Sequence, residues 1–308
     1  MNVEPRPSSP VIVIAGPTGV GKTAVGLAVA RALGTDILSA DSRQAYRGLD
    51  IGTAKPTAEE RATVPHYWID VLDVGEPTSA GVFARVADAH IARCRSENRP
   101  ALVVGGSTLY VDAVVRGLAD LPDVPAAIVW QTQTEAESAE GRDALYRELA
   151  REDPDAARTL DPTKSHRLAR LVGLLRATGR RPSDLWSEGA PQPRDVRLFV
   201  LDRPRDLLYR DIDARVDRLL ADGLVDENRR LLALGHRLNT APLRTIGYQE
   251  PIRFLEGEID ESEMVRLLKQ NTRQYAKRQL TWFRRYADAR WTSPELTVSA
   301  MIENQQMQ

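Results

Sequence analysis

Gly16-Pro17-Thr18-Gly19-Val20-Gly21-Lys22-Thr23 satisfies the spacing G-x-x-x-x-G-K-[ST]. It stands between Val11-Ile12-Val13-Ile14-Ala15, a short β-branched apolar run, and a helix-favouring stretch over 24–33 that closes at Gly34. A run of that length bounded by glycine predicts a buried parallel strand. Strand, glycine-rich turn and helix in that order are the context that distinguishes a phosphate-binding loop from a chance turn. Glycines let backbone N–H groups curl around phosphate oxygens, and the helix N-terminus adds partial positive charge. Lys22 supplies a full charge, and the Thr23 hydroxyl suits Mg²⁺ ligation.

Working outward, residues 37–40 predict a second strand running into Asp41, and 67–72 a third. Residues 83–95 predict a helix, 101–104 another buried strand before Gly105-Gly106-Ser107-Thr108, and 109–115 a helix. The alternation predicts an α/β fold, a P-loop core whose parallel sheet is flanked by helices. After Pro122 the texture changes. Residues 126–150 read as charge-mixed helix broken at Gly141, 163–178 as a helix closed by Gly179, and 183–194 as a proline-rich loop. Residues 196–201 return to strand, and 206–221, 225–233 and 261–286 read as helices. The expected organisation is a catalytic core of 1–123 and 191–308 with a helical insertion domain over 124–190.

A loop of this kind signals phosphate, not ATP. In an ordinary P-loop ATPase a neighbouring buried strand ends in an acid, whereas 101–104 ends in Gly105-Gly106. Asp41 instead stands at the end of the second strand, on the edge where open α/β sheets bind ligands. A carboxylate there suits metal holding, proton acceptance from a nucleophile, or a plain turn cap.

The net charge of −1 argues against a purely electrostatic nucleic-acid binder, but the charges are unevenly spread. Lys164, Arg167, Arg170, Arg176, Arg180 and Arg181 follow one another with no acid between, as do the Lys and Arg residues over 264–285. Local basic faces on a near-neutral chain fit an anionic partner bound at a defined place. No apolar run approaches the ~20 residues needed to cross a bilayer, and the first ten residues lack a basic-then-apolar signal pattern. Cys94 is the only cysteine, which excludes an intramolecular disulfide and a cysteine-rich zinc site. A cytoplasmic protein without membrane partners is expected.

Further stretches extend the pattern. Residues 39–56, S-A-D-S-R-Q-A-Y-R-G-L-D-I-G-T-A-K-P, with Val64-Pro65-His66, Val103-Val104-Gly105-Gly106-Ser107-Thr108-Leu109-Tyr110, Ile246-Gly247-Tyr248-Gln249-Glu250 and 271–283, N-T-R-Q-Y-A-K-R-Q-L-T-W-F, occur in order over nearly the whole chain. Together with the loop they resemble the tRNA dimethylallyltransferases (tRNA isopentenyltransferases). The resemblance implies transfer of a dimethylallyl group from dimethylallyl pyrophosphate to N6 of the adenosine 3′ of the anticodon. It implies that Gly16, Pro17, Thr18, Gly19, Val20, Gly21, Lys22 and Thr23 hold the donor's pyrophosphate with Mg²⁺ on Thr23. Asp41 is then the base that takes the proton from N6, while Arg215 and Lys22 assist the leaving group. Asp41, Ser42, Arg43, Gln44 and Ser107 match segments that contact the flipped nucleotide of the tRNA anticodon loop. His166, Arg167, Leu168, Ala169 and Arg170 match a tRNA-contacting helix in the insert. A monomer is implied. The chain departs from the family pattern at Ser107-Thr108, at Gly173 where a glutamate is usual, and at Asp211 where an arginine is usual.

The C-terminal helix also reads by itself. Val265, Leu268, Thr272, Tyr275, Gln279, Trp282 and Tyr286 form a stripe at helical spacing, with Arg266, Lys269, Arg273, Lys277 and Arg284 on a neighbouring face. A solvated face is the ordinary reading. Absence of acids over that span favours RNA, which places Arg273, Lys277 and Arg278 among the tRNA-binding candidates. Three other functions fit parts of the pattern: a small-molecule kinase using ATP, an adenylate dimethylallyltransferase, and a non-catalytic RNA-binding protein.

Overall fold

Strand β1 (Val11–Ala15) is buried along its whole length, and its alternate side chains enter two different cores, as a period of two demands of a central strand. Val11, Val13 and Ala15 pack with Phe83, Ile91 and Val111. Ile12 and Ile14 pack with Val25, Val29 and Ile212 on the opposite face. The computed structural model describes residues 10–161, 163–190, 194–296, 298–299 and 301. The chain forms two compact units, Met1–Val115 with Arg194–Gln308, and Arg116–Pro193.

In the first unit β1 is followed by α1 (Lys22–Leu33), β2 (Ile37–Ala40), α2 (Ala58–Thr63), β3 (His66–Tyr67), α3 (Ala80–Ser96), β4 (Ala101–Gly105) and α4 (Thr108–Val115). The second unit holds α5 (Ala126–Glu135), α6 (Ala139–Glu152), α7 (Pro154–Thr159), α8 (Ser165–Thr178) and α9 (Pro182–Glu188). The chain then returns to the first unit with β5 (Val196–Leu201), α10 (Arg205–Ala221), α11 (Leu224–Ala233), α12 (Gln249–Leu255), α13 (Glu261–Phe283) and β6 (Arg290–Thr292).

Among the described residues the sheet runs β3-β2-β4-β1-β5-β6, and every pairing is parallel. Parallel pairing puts all C-terminal strand ends on one edge. Register makes them level, since Ala15 lies opposite Gly105 and Val200, and Ala40 opposite Gly105. The loops after β1, β2 and β4 therefore emerge side by side where the connections diverge to opposite halves of the sheet.

Three local expectations are corrected. The third strand is confined to His66–Tyr67, because the backbone turns at Trp68 and Asp70, both with positive φ, and Asp70 is held there by Lys55 and Arg61 at 2.5 and 2.6 Å. The helical break in the insert falls before Ser138, which caps α6 by accepting the Gly141 N–H. Gly141 lies inside α6, where a Cβ would fall 1.9 Å from the Glu135 carbonyl oxygen, so the glycine marks a close approach and not a break. The expected loop after Ser183 contains α9, started by Pro182 at a position that needs no N–H donor.

The second unit is a helical bundle around Leu145, Leu149, Leu168 and Val172. Arg176 of α8 ties it together by pairing with Glu135 at 2.9 Å and Glu148 at 2.6 Å. Gly173 is buried and faces Thr132, Val124 and Ile128, so a glutamate there would be forced into the contact between α5 and α8.

Candidate functional site

The level strand tips open into a cavity of about 680 Å³ in the first unit, lined by Lys22, Thr23, Asp41, Ser107, Arg215 and Gln279 among others. Gly21 caps the start of α1 at φ 100°, a conformation that side chains resist, and this aims the first N–H groups of the helix at the cavity. Thr18, Gly19, Lys22 and Thr23 line it, whereas Pro17 and Val20 are buried, Val20 within the core under α1. These two shape the loop without presenting side chains to a ligand.

The Lys22 ammonium donates to the Pro17 carbonyl at 2.8 Å. Burial, reinforced by Arg215 and opposed by Asp41, lowers its pKa to about 7. Burial also lowers the pKa of Arg215, with Asp41 acting against it. Two cations are thus enclosed beside one carboxylate. The site carries positive charge that an anion would relieve, as for a phosphate ligand.

Asp41 begins the loop after β2. Its Oδ1 accepts from the backbone N–H of Arg43 at 2.8 Å and of Gln44 at 3.3 Å. The residue caps this turn and lines the cavity together, so the two sequence readings are compatible. Ser42, Arg43, Gln44 and Ser107 line the same cavity. Gln44 is fixed at both ends of its amide, accepting from Ser39 and reaching the carbonyls of Thr53 and Ala54. The Thr23 hydroxyl and Asp41 carboxylate give the cavity hard oxygen donors of the kind Mg²⁺ takes. Asp211, the departure noted above, pairs with Arg203 at 2.7 Å at the cavity rim.

Two buried polar residues escaped the sequence reading. Gln279 of α13 is 1% exposed; it accepts from the Thr18 N–H at 2.8 Å and donates to the Gly106 carbonyl at 2.7 Å. Its signal was a glutamine inside a stripe that is apolar or aromatic apart from it and Thr272. Glu227 of α11 is 2% exposed; it accepts from the N–H groups of Asp50, Ile51 and Gly52 and from the Tyr248 hydroxyl. That carboxylate anchors the segment carrying Thr53 and Ala54 to the wall of the cavity. No local pattern singles it out from other acids in the first turn of a helix. The buried face of α13 is also turned slightly from expectation. Met264, Leu268, Thr272, Ala276, Gln279 and Phe283 are buried, while Tyr275 lines the cavity. Burial and the nearby Asp41 push the Tyr275 phenol up to about 12, so it stays protonated at neutral pH.

The basic runs shrink in three dimensions. On α13, Arg266 pairs with Glu263, Lys269 with Asp217, and Arg273 with Asp213. Asp213 and Asp217 come from α10, which the linear run could not reveal. Lys277 and Arg278 have no ion-pair partner among the described residues; Lys277 lines a separate groove with Arg203, Arg284 and Trp291. In the insert, Leu168 and Ala169 are corrected as RNA contacts. They are 0% and 1% exposed inside the bundle core, because an amphipathic helix must turn part of any four-residue run inward. His166, Arg167 and Arg170 are exposed. A buried group of Asp36, His90 and Cys94 elsewhere in the first unit has metal-like spacing. However, Arg93 and Arg99 already hold the Asp36 carboxylate at 2.8 and 2.9 Å, and two cations beside it would repel a third.

Comparison with known proteins adds to this geometry. The model of a protein family described as IPP transferase matches residues 44–286. A tRNA dimethylallyltransferase from Salinibacter ruber is 47% identical over 303 residues, covering 97% of this chain and 93% of that protein. The crystal structure of the full-length tRNA isopentenylpyrophosphate transferase from Bacillus halodurans is 34% identical with a TM-score of 0.71, covering 97% of this chain and 96% of the other. A eukaryotic dimethylallyltransferase solved acting on tRNA is 26% identical with a TM-score of 0.76, covering 89% of this chain and 70% of the other.

Proposed function

This chain belongs to the IPP transferase family, and on that premise we propose that it transfers a dimethylallyl group from dimethylallyl pyrophosphate to N6 of the adenosine 3′ of the anticodon in tRNA. The observation that carries the reading is the enclosure of Lys22 and Arg215 beside Asp41 in one cavity at the strand tips. It offers an anion pocket and a proton acceptor with room for a base between them.

The N–H groups of the phosphate-binding loop and Lys22 hold the pyrophosphate, and Arg215 adds charge as the C–O bond breaks toward an allylic cation. N6 of the flipped adenine forms the new C–N bond, and Asp41 takes the proton it sheds. Thr23 would hold Mg²⁺, which when bound neutralises further charge on the leaving group. Gln44, fixed at both ends of its amide, and Ser107 orient the base. His166, Arg167 and Arg170, with Lys277 and Arg278, supply phosphate contacts that position the RNA without reading its sequence. The reading takes the protein to act as a monomer. No helix of the described residues is long and apolar enough to cross a membrane. A cytoplasmic reaction is part of the proposal.

Incubation with labelled dimethylallyl pyrophosphate, Mg²⁺ and either tRNA or AMP tests the proposal. Label in tRNA that is lost with chelator is expected. Label in AMP alone would replace tRNA with a free nucleotide as acceptor. Label in neither would leave a non-catalytic RNA-binding protein or a kinase, and a parallel incubation with ATP that consumed it would select the kinase.

A further inference from the structure

Gln279 lies 261 positions from Thr18 and 173 from Gly106, yet its amide joins the two. The directions of both bonds are settled by the backbone, since Thr18 can only donate its N–H and the Gly106 carbonyl can only accept. We propose that Gln279 is a positioning residue for the donor: it sets the spacing and orientation of the phosphate-binding loop against the loop after β4. The proposal rests on the reading of the cavity as the prenyl pyrophosphate site.

The packing at this node leaves little slack. A Cβ on Gly106 would lie 2.6 Å from the Gln279 amide nitrogen, 3.3 Å from the Gly16 carbonyl oxygen and 3.3 Å from the Lys22 ammonium. The amide of Gln279, the turn at Gly106, the loop and its lysine therefore meet within one small volume. From Gly106 the chain passes to Ser107, whose N–H donates to the Ala40 carbonyl at 3.1 Å, the residue before Asp41. One side chain thus ties the loop that grips the leaving group to the strand end that carries the proton acceptor. Positioning of this kind acts on reacting geometry through backbone, and small displacements are costly there. A glutamine is suited to it because it donates and accepts without bringing charge beside Lys22.

Two variants separate this role from plain support of the fold. Gln279→Met keeps the volume and removes both bonds. It is expected to raise the KM for dimethylallyl pyrophosphate ~tenfold, the scale of a lost neutral hydrogen bond, with the KM for tRNA unchanged. Gln279→Glu keeps an acceptor for Thr18 but brings a carboxylate to the Lys22 ammonium. It turns an oxygen toward the Gly106 carbonyl in place of the donor, and is expected to bind Mg²⁺-pyrophosphate more weakly than either Gln279→Met or the unaltered protein. Direct calorimetry with Mg²⁺-pyrophosphate reads the site independently of turnover. If both variants lose thermal stability while donor KM and pyrophosphate affinity stay at the unaltered values, the residue only supports the fold and the inference fails. If the unaltered protein itself binds no pyrophosphate, the proposed function fails instead.

Discussion

The two units of the chain use charge in opposite ways. At the strand tips of the sheet-containing unit, Lys22 and Arg215 are partly enclosed, their pKa values pulled down by burial, beside an Asp41 fixed by backbone N–H groups. In the helical unit, His166, Arg167 and Arg170 stand in solvent on the outer face of an ordinary bundle. Burial concentrates electrostatic effect on a few atoms, whereas water and salt dilute it over many. The first arrangement suits bond breaking and the second suits holding a polyanion in place. Single changes should therefore be severe in one unit and graded in the other.

The hardest test of that contrast is Asp41→Ala. It is expected to lower kcat by ~10²–10⁴, the usual worth of a positioned proton acceptor, while tRNA affinity in a filter-binding assay stays near its original value. Normal turnover would remove Asp41 as base and undo the distinction between the units. Lys22 provides the next test, through pH. Only the ammonium form grips the pyrophosphate, and its pKa near 7 in the folded chain means that the form is lost as pH rises above that value. The KM for donor should climb by up to ~tenfold per pH unit above 7, and Lys22→Met should flatten the profile. The stability consequence has its own sign. Between about 7 and the usual 10.5 the unfolded chain binds the extra proton, so stability from this group is full above that window and is lost as pH falls through about 7. The unfolding free energy of Lys22→Met relative to the unaltered protein should accordingly rise as pH falls across the window in denaturant titrations.

The smallest effect is expected in the insert. Changing Lys164, Arg167 and Arg170 together to Ala should raise the KM for tRNA a few-fold with kcat unchanged. The slope of log KM against log salt should fall by about 2, as three phosphate contacts to single-stranded RNA would give. An unchanged slope would show that this face does not meet RNA, and a fall in kcat would blur the contrast from the other side.

Much of the sheet-containing unit was legible from local pattern. β1, the glycine loop and α1 announce themselves by burial, backbone need and periodicity, all properties of neighbours in the chain. The insert was less legible. Gly141 looked like a break because glycine disfavours helices, yet it is there to admit the Glu135 carbonyl. Leu168 and Ala169 looked like part of a contact run and proved to be core. The acid-free run on α13 was misleading for a different reason, since Asp213 and Asp217 from α10 neutralise Arg273 and Lys269.

The amino-acid sequence by itself determined the order of elements, the phosphate-binding loop and the strand end on which Asp41 stands, because these follow from interactions between residues close along the chain. Tertiary structure alone decided which cations keep their charge unpaired, that Glu227 anchors the 50–52 backbone, and that Gln279 joins Thr18 to Gly106. Ion pairs and buried hydrogen bonds act through space, and their partners here lie dozens to hundreds of positions away, beyond the reach of any periodic pattern.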